Sequence, residues 1–112
     1  HLREMLDGVS VRLQLSAVPM LKGVRKLAEL DFIPGGTYRN RDAVLKHVKF
    51  DASISEIDQL LLCDAQTSGG LLFGVAPEKA NELLDELALN GVQAAEIGEF
   101  VTSVERDVIV TP

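Results

Sequence analysis

The sequence predicts a single α/β (α+β) domain in which helices cover a mixed β-sheet, and three observations lead to this prediction. The chain has 112 residues, which is enough for one domain. Helical patterns are interleaved with a few short strand patterns, an order typical of a mixed sheet with helical cover. The chain is 46% hydrophobic but only 4% aromatic and contains no Trp. We therefore expect a core made mostly of Leu, Val, Ile and Ala.

The first part of the chain predicts a helix, a strand and a second helix. Residues 1–6 have the character of a helix interior without an N-cap, so we interpret the start of the chain as a cut within a longer protein. Residues 9–15 alternate between apolar and polar side chains, which predicts a half-buried strand. A helix capped by Ser16, with Pro19 in its first turn, should follow and end near residue 31.

The middle of the chain predicts a loop over residues 32–40, a short helix over 41–47 and a brief strand over 48–50. Ser53 or Ser55 can cap the next helix, because a serine hydroxyl accepts from a backbone N–H of the first turn.

The last part of the chain predicts one strand, a long helix and two further strands. The continuous apolar run 71–76 predicts a strand covered on both faces. Pro77 opens the helix, and Gly91 marks its end. Strands over 94–101 and 108–111, joined by the polar turn 102–107, should pair as an antiparallel hairpin. The expected buried stripe of the helix consists of Ala80, Leu83, Leu84 and Leu87.

Charge and composition argue against several classes of partner. The net charge of −6 and the pI near 4.8 argue against nucleic-acid binding, which needs clustered Lys and Arg. No apolar run is long enough to span a bilayer, so we expect no membrane partner. The single cysteine, Cys63, cannot form an internal disulfide, and this predicts a reducing, cytoplasmic compartment.

Two glycine-rich segments are the candidate ligand-binding loops. Residues 34–40 read Pro-Gly-Gly-Thr-Tyr-Arg-Asn, and residues 64–70 read Asp-Ala-Gln-Thr-Ser-Gly-Gly. Paired glycines let successive backbone N–H groups point to one side and form an anion-binding concavity. The alternative is that each pair only makes a tight turn, and the residues alone favour that alternative. The side chains that we predict to face a substrate or phosphate are Thr37, Arg39, Asn40, Gln66, Thr67 and Ser68.

Other reactive residue types give no catalytic or metal site. Cys63 ends an apolar helix, and we interpret it as a small buried hydrophobe rather than a nucleophile. His47 has no partner at metal-ligand spacing. The residues alone therefore indicate a non-catalytic domain with two candidate ligand loops.

A family resemblance adds a function to this description. Residues 62–72, Leu-Cys-Asp-Ala-Gln-Thr-Ser-Gly-Gly-Leu-Leu, resemble the Asp-Pro-Gln-Thr-Ser-Gly-Gly-Leu-Leu signature of bacterial selenophosphate synthetases (selenide, water dikinases). Residues 34–40 resemble that family's Pro-Gly-Gly-Thr-x-x-Asn segment. Residues 1–5 resemble the helix after its Gly-Phe-Gly-Leu-Leu-Gly stretch, and residues 94–99 its closing Ile-Gly strand. Ala65 stands where the family usually has Pro, which loosens the turn slightly but removes no functional group.

The resemblance implies a ferredoxin-like-related C-terminal domain of the aminoimidazole ribonucleotide synthetase type. Residues 1–112 would be this single domain, truncated at its N-terminus, and the ATP-binding N-terminal domain would be absent. The family's activity is transfer of the γ-phosphate of ATP to selenide, with selenophosphate, AMP and orthophosphate as products.

The resemblance also implies where the chemistry takes place. Mg²⁺, ATP and the catalytic Cys or selenocysteine would belong to the N-terminal domain of a homodimeric enzyme, so this fragment alone should be inactive and bind neither cofactor. Cys63 does not match the catalytic position. The two glycine-rich loops would form one wall of the cleft and face the phosphates or the selenide pocket. The alternatives are a stand-alone regulatory or small-ligand-binding module and a purely structural assembly domain.

Overall fold

Four strands form one mixed sheet in the computed structural model, which describes residues 1–102 and 106–112. The strands are β1 (Val9–Gln14), β2 (Val48–Phe50), β3 (Gly98–Thr102) and β4 (Val108–Thr111). Their order across the sheet is β2-β4-β1-β3. β1 is parallel to β4 and antiparallel to β3, and β2 is parallel to β4. The mixed α/β (α+β) sheet that the sequence predicts is thus confirmed.

An apolar row across β1 and β4 forms the centre of the core. Val11 pairs with Val108, and Leu13 pairs with Val110. Because directly paired residues project from the same face of a sheet, these four side chains lie side by side. Val110 is only 2% exposed. The alternation predicted for residues 9–15 is therefore confirmed at Val11 and Leu13, whereas Val9 is exposed and Ser10, expected on the polar face, is buried.

The predicted hairpin of the last two strands is wrong, because β1 lies between β3 and β4. β4 joins β1 in parallel and adds Val108 and Val110 to the apolar row. A hairpin with β3, whose residues are mostly exposed, would give these valines no such neighbours. Part of the predicted turn over 102–107 lies outside the described residues.

α3 (Glu56–Leu62) packs onto the apolar face of the sheet. Ile54, just before α3, belongs to the core cluster, and Leu62 packs against that cluster. α1 and α2 in turn contact α3. The helices are α1 (Val24–Glu29), α2 (Gly35–Val44), α3 (Glu56–Leu62) and α4 (Pro77–Leu89), with 3₁₀ turns at Arg3–Met5 and Leu15–Ala17.

The beginnings of the helices were predicted with mixed success. Ser55 caps α3 as expected, since its Oγ accepts the backbone N–H of Asp58 at 3.2 Å. The helix predicted from Ser16 begins only at Val24, because Gly23 in front of it has φ +88° and interrupts the helical path. The helix predicted over residues 1–6 is reduced to a single 3₁₀ turn.

The main correction concerns residues 32–40, which the sequence predicts as a loop. α2 begins at Gly35, so the second half of that segment is helical and the helix predicted over 41–47 is its continuation. Pro34 is the N-cap residue. Proline and glycine are tolerated there because the first N–H groups of a helix need no acceptor within the helix. The first glycine-rich segment is therefore a helix start rather than a turn.

The apolar run 71–76 is the second correction. It forms no strand, and all six residues are exposed. It lies beside β3, since a Cβ on Gly74 would be 3.0 Å from the ring of Phe100. Its continuous apolar pattern predicts a strand that is covered on both faces. Nothing in residues 1–102 or 106–112 provides that cover.

The last helix and strand are close to the prediction. α4 spans Pro77–Leu89, and its predicted stripe is half-buried rather than fully buried. The strand predicted over 94–101 begins only at Gly98. A Cβ on Gly98 would lie 2.2 Å from the backbone oxygen of Arg12, so β3 approaches β1 at a point where only glycine fits.

Candidate functional site

The two glycine-rich segments lie against each other. The first forms the N-terminal turn of α2, and the second directly follows α3. A Cβ on Gly36 would be 3.4 Å from the Cβ of Ala65, which is van der Waals contact. The fold therefore combines the two candidate loops, which are about thirty residues apart in the sequence, into one surface.

Two of the six predicted side chains hold this surface together. Thr37 is 2% exposed, and its Oγ1 donates to Oδ1 of Asp64 at 3.1 Å. Asn40 Nδ2 donates to the backbone oxygen of Cys63 at 3.1 Å, and so satisfies a carbonyl at the C-terminal end of α3. Both polar groups already have protein partners. Their geometry is that of a clamp between α2 and the second loop.

Arg39 is different, because its guanidinium has no hydrogen-bond or ion-pair partner among residues 1–102 and 106–112. The side chain is exposed and lies over the first turn of α2. Its Nη1 and Nη2 would be 3.6 Å and 3.8 Å from Cβ atoms built on Gly35 and Gly36. A free guanidinium beside a helix N-terminus gives this surface a local positive charge on a chain of net charge −6. The arginines that do form ion pairs with carboxylates are Arg3, Arg12, Arg25 and Arg41.

Arg41, two residues further along α2, has a structural role instead. Its Nη1 donates to Oε1 of Glu56 at 2.7 Å, and its Nε donates to Oε1 of Gln59 at 3.2 Å. Both partners belong to α3. Arg41 therefore fastens α2 to α3, while Arg39 stays available to a ligand.

The second loop presents amide and hydroxyl groups to solvent. Gln66, Thr67 and Ser68 are exposed, and their side chains form no hydrogen bond within the described part of the chain. Gln66 lies over Gly69, because a Cβ on that glycine would be 2.7 Å from Oε1 of Gln66. A larger residue at position 69 would require the flexible end of the Gln66 side chain to move aside.

The structure divides the six predicted residues into two groups. Thr37 and Asn40 form hydrogen bonds with other residues of the chain, whereas Arg39, Gln66, Thr67 and Ser68 are free to meet a ligand. Asp64, which accepts the hydrogen bond of the Thr37 hydroxyl, was not among the predicted residues. Its position at the start of the Asp-Ala-Gln-Thr-Ser-Gly-Gly segment was the available signal.

Cys63 has the properties of a structural residue. It is half-buried at the end of α3, and this burial raises the pKa of its thiol. A thiol with a raised pKa is neutral at neutral pH and therefore a weak nucleophile. Its backbone oxygen, rather than its sulfur, takes part in the clamp.

The part of the chain that the structure describes contains neither a metal-binding cluster nor a membrane-spanning helix. No three His, Cys, Asp or Glu side chains of residues 1–102 and 106–112 are grouped so that they could hold a metal ion. In the same residues, no helix combines the length and apolar character needed to cross a bilayer.

The known proteins that this chain is similar to all point to one family. The family described as AIR synthase related protein, C-terminal domain, matches residues 1–111. A selenide, water dikinase of Pseudomonas aeruginosa is 46% identical over 103 residues, which are 90% of this chain and 29% of that protein. One from Carboxydothermus hydrogenoformans is 38% identical over 111 residues, or 98% of this chain and 32% of that protein. One from Escherichia coli is 43% identical over 103 residues, or 90% of this chain and 29% of that protein.

The chain spans only about a third of the length of these curated relatives. The family match, in contrast, covers nearly every residue of the chain, including both glycine-rich segments. The mixed sheet with helical cover agrees with the fold that the resemblance implies. This chain therefore belongs to the family of AIR synthase related protein C-terminal domains.

Proposed function

We propose that this chain is the C-terminal domain of a selenide, water dikinase, a phosphotransferase that makes selenophosphate from selenide, ATP and water. AMP and orthophosphate are the other products. Family membership and the activity for which the relatives are named support the reaction. The observation that carries the role of this domain is the single surface formed by both glycine-rich segments, with the free guanidinium of Arg39 upon it.

This surface supplies one wall of the active-site cleft. Phosphoryl transfer depends mainly on positioning and on stabilising the negative charge of the transferred group. The guanidinium of Arg39 can form bidentate, charge-assisted hydrogen bonds with phosphate oxygens. The amide of Gln66 and the hydroxyls of Thr67 and Ser68 can donate further hydrogen bonds. Since the whole domain is acidic, an anion has to be held by this local arrangement rather than by the net charge of the domain.

The residues of this chain fit a phosphate group of ATP better than they fit Mg²⁺. Mg²⁺ prefers an octahedral set of carboxylate, phosphate and water oxygens. The side chains that line the proposed wall are donors, and Asp64 is engaged with Thr37. We assign Mg²⁺, most of the ATP site and the catalytic Cys or selenocysteine to an N-terminal domain, which is the direct partner of this one. The isolated chain should accordingly be inactive.

The remaining parts of the proposal concern the whole enzyme. We place it in the cytoplasm as a homodimer, as the family resemblance implies. The net charge of −6 supports a protein that does not bind nucleic acid.

A chimera tests the function directly. The segment of the Pseudomonas aeruginosa relative that matches this chain is replaced by this chain, and selenide-dependent AMP formation from Mg²⁺-ATP is measured. We expect the chimera to be active. The remainder of the relative without this segment, and this chain alone, should both be inactive.

A folded chimera without activity would contradict the proposal, provided that the intact relative is active in the same assay. If the isolated chain nevertheless bound phosphate, the result would favour the alternative of a small-ligand-binding module.

A further inference from the structure

Asp64 lies at the junction between the two halves of the candidate surface. Its Oδ1 accepts the hydroxyl of Thr37 from the first turn of α2, at 3.1 Å. Its backbone oxygen accepts the N–H of Gln66 at 3.1 Å, and its own N–H points to the oxygen of Leu61 at 3.4 Å. One residue thus connects α2, the end of α3 and the first exposed donor of the second loop.

We propose that Asp64 is a positioning residue, which fixes the loop of residues 65–70 relative to Arg39 through its hydrogen bond with Thr37. Asp64 and Thr37 then act as a pair and touch no ligand themselves. This inference rests on the proposed function and assigns to Thr37 a different role from the phosphate contact that the sequence predicts.

The burial of Thr37 supports this division of roles. With 2% of its surface exposed, the threonine cannot reach a ligand at the surface without unfolding the first turn of α2. A buried hydroxyl needs a partner, and Asp64 is the acceptor that the structure provides. Asp64 itself is exposed, so its carboxylate remains hydrated while it holds the threonine.

The second loop has few other restraints on this side. Among the described hydrogen bonds, residues 65–70 make one to the rest of the chain, from the N–H of Gln66 to the backbone oxygen of Asp64. The loop also ends in two glycines, which tolerate many backbone conformations. Loss of the Asp64–Thr37 bond would therefore leave the loop free to move away from Arg39. A displacement of about 1 Å can lower turnover about a hundredfold when positioning supplies the catalysis.

The active chimera described above is the protein in which to test the pair. Asp64→Ala and Thr37→Val each remove the hydrogen bond, and each should lower kcat by about ten- to a hundredfold. Asp64→Asn and Thr37→Ser keep an acceptor and a hydroxyl, so both should retain most of the activity. Asp42→Ala, an exposed carboxylate on α2 without a described partner, is the matched control and should behave as the wild type.

The double variant separates a coupled pair from two independent residues. If Asp64 and Thr37 act through one hydrogen bond, Asp64→Ala combined with Thr37→Val should be no slower than the slower single variant. If the fold-losses in kcat of the two single variants multiplied in the double variant, the proposal would be overturned. Equal losses in Asp64→Ala and Asp64→Asn would also overturn it, because they would show that the charge contacts a ligand. A lowered melting midpoint with normal kcat would reduce the pair to a stabilising contact.

A second measurement does not depend on catalysis. Amide hydrogen exchange of Gln66, whose N–H donates to the backbone oxygen of Asp64, should be faster in Asp64→Ala than in Asp42→Ala, while exchange in β1 stays unchanged. Unchanged exchange at Gln66 would overturn the positioning role. If the wild-type chimera were inactive but the exchange difference were observed, the proposed function would fail and the loop restraint would stand.

Discussion

Replacing Leu60 with alanine tests whether α3 is anchored as the structure describes. Leu60 is 3% exposed and lies on the helix that leads into Cys63 and Asp64. The substitution removes about three methyl or methylene groups, each worth ~0.8 kcal/mol of burial, or about 2.4 kcal/mol together. The cavity left behind raises the expected loss to about 2.7–5 kcal/mol, a large part of the stability of a small domain.

Urea unfolding of this chain measures the loss, with two other leucines as controls. Leu84 on α4 is half-buried, so Leu84→Ala should cost clearly less than Leu60→Ala. Leu89 is 85% exposed, and Leu89→Ala should change the free energy of unfolding by about 0.5 kcal/mol or less. Equal midpoints for the Leu60 and Leu89 variants would refute the packing of α3. A loss at Leu84 as large as at Leu60 would show that α4 is buried more deeply than the structure indicates.

Two further predictions concern charged groups. Hydrogen bonding to Arg25 lowers the pKa of Asp58 below its usual range, so the folded state favours the ionised carboxylate. This stabilisation is fully present above the unfolded pKa of about 3.9 and is lost as pH falls through the lower, folded pKa. Asp58→Asn should therefore lower the free energy of unfolding at neutral pH and make it depend less on pH in the acid range. Urea melts at several pH values measure this dependence. If it were unchanged in Asp58→Asn, the ion pair would not contribute to stability. In the chimera, Arg39→Ala should lower kcat/KM about ten- to a hundredfold with an unchanged melting midpoint, as expected for the loss of about 1.5–3 kcal/mol of a charge-assisted bond. Arg41→Ala should mainly lower the melting midpoint, because it loses contacts with α3. If Arg39→Ala instead lowered the melting midpoint and Arg41→Ala lowered kcat/KM, the roles of the two arginines would be exchanged.

Local patterns predicted those parts of the fold that depend on neighbours in the sequence. The alternation through Val11 and Leu13 identified the buried face of β1, and Ser55 was correctly expected as a helix cap. Partners that are distant in the sequence were not predictable in the same way. The place of β4 beside β1 depends on Val108 and Val110 meeting that apolar row, and no local pattern records this.

The candidate site shows the same limit. The composition of the two glycine-rich segments identified the surface, but it could not distinguish contacts with a ligand from contacts within the protein. Thr37 is engaged by Asp64, and Arg41 differs from Arg39 only because residues of α3 lie beside it. Each of these distinctions depends on the packing of α2 against α3, which pairs residues far apart in the chain.

Detection of the phosphorus–selenium bond tests the central claim most directly. The chimera is incubated with Mg²⁺-ATP and isotopically enriched selenide, and the products are followed by phosphorus NMR. The proposal predicts a phosphorus signal split by coupling to selenium, formed in equal amounts with AMP and orthophosphate and missing when selenide or this domain is omitted. A folded chimera that gives no such signal, or that forms AMP without it, would contradict the assignment of this chain to a selenide, water dikinase.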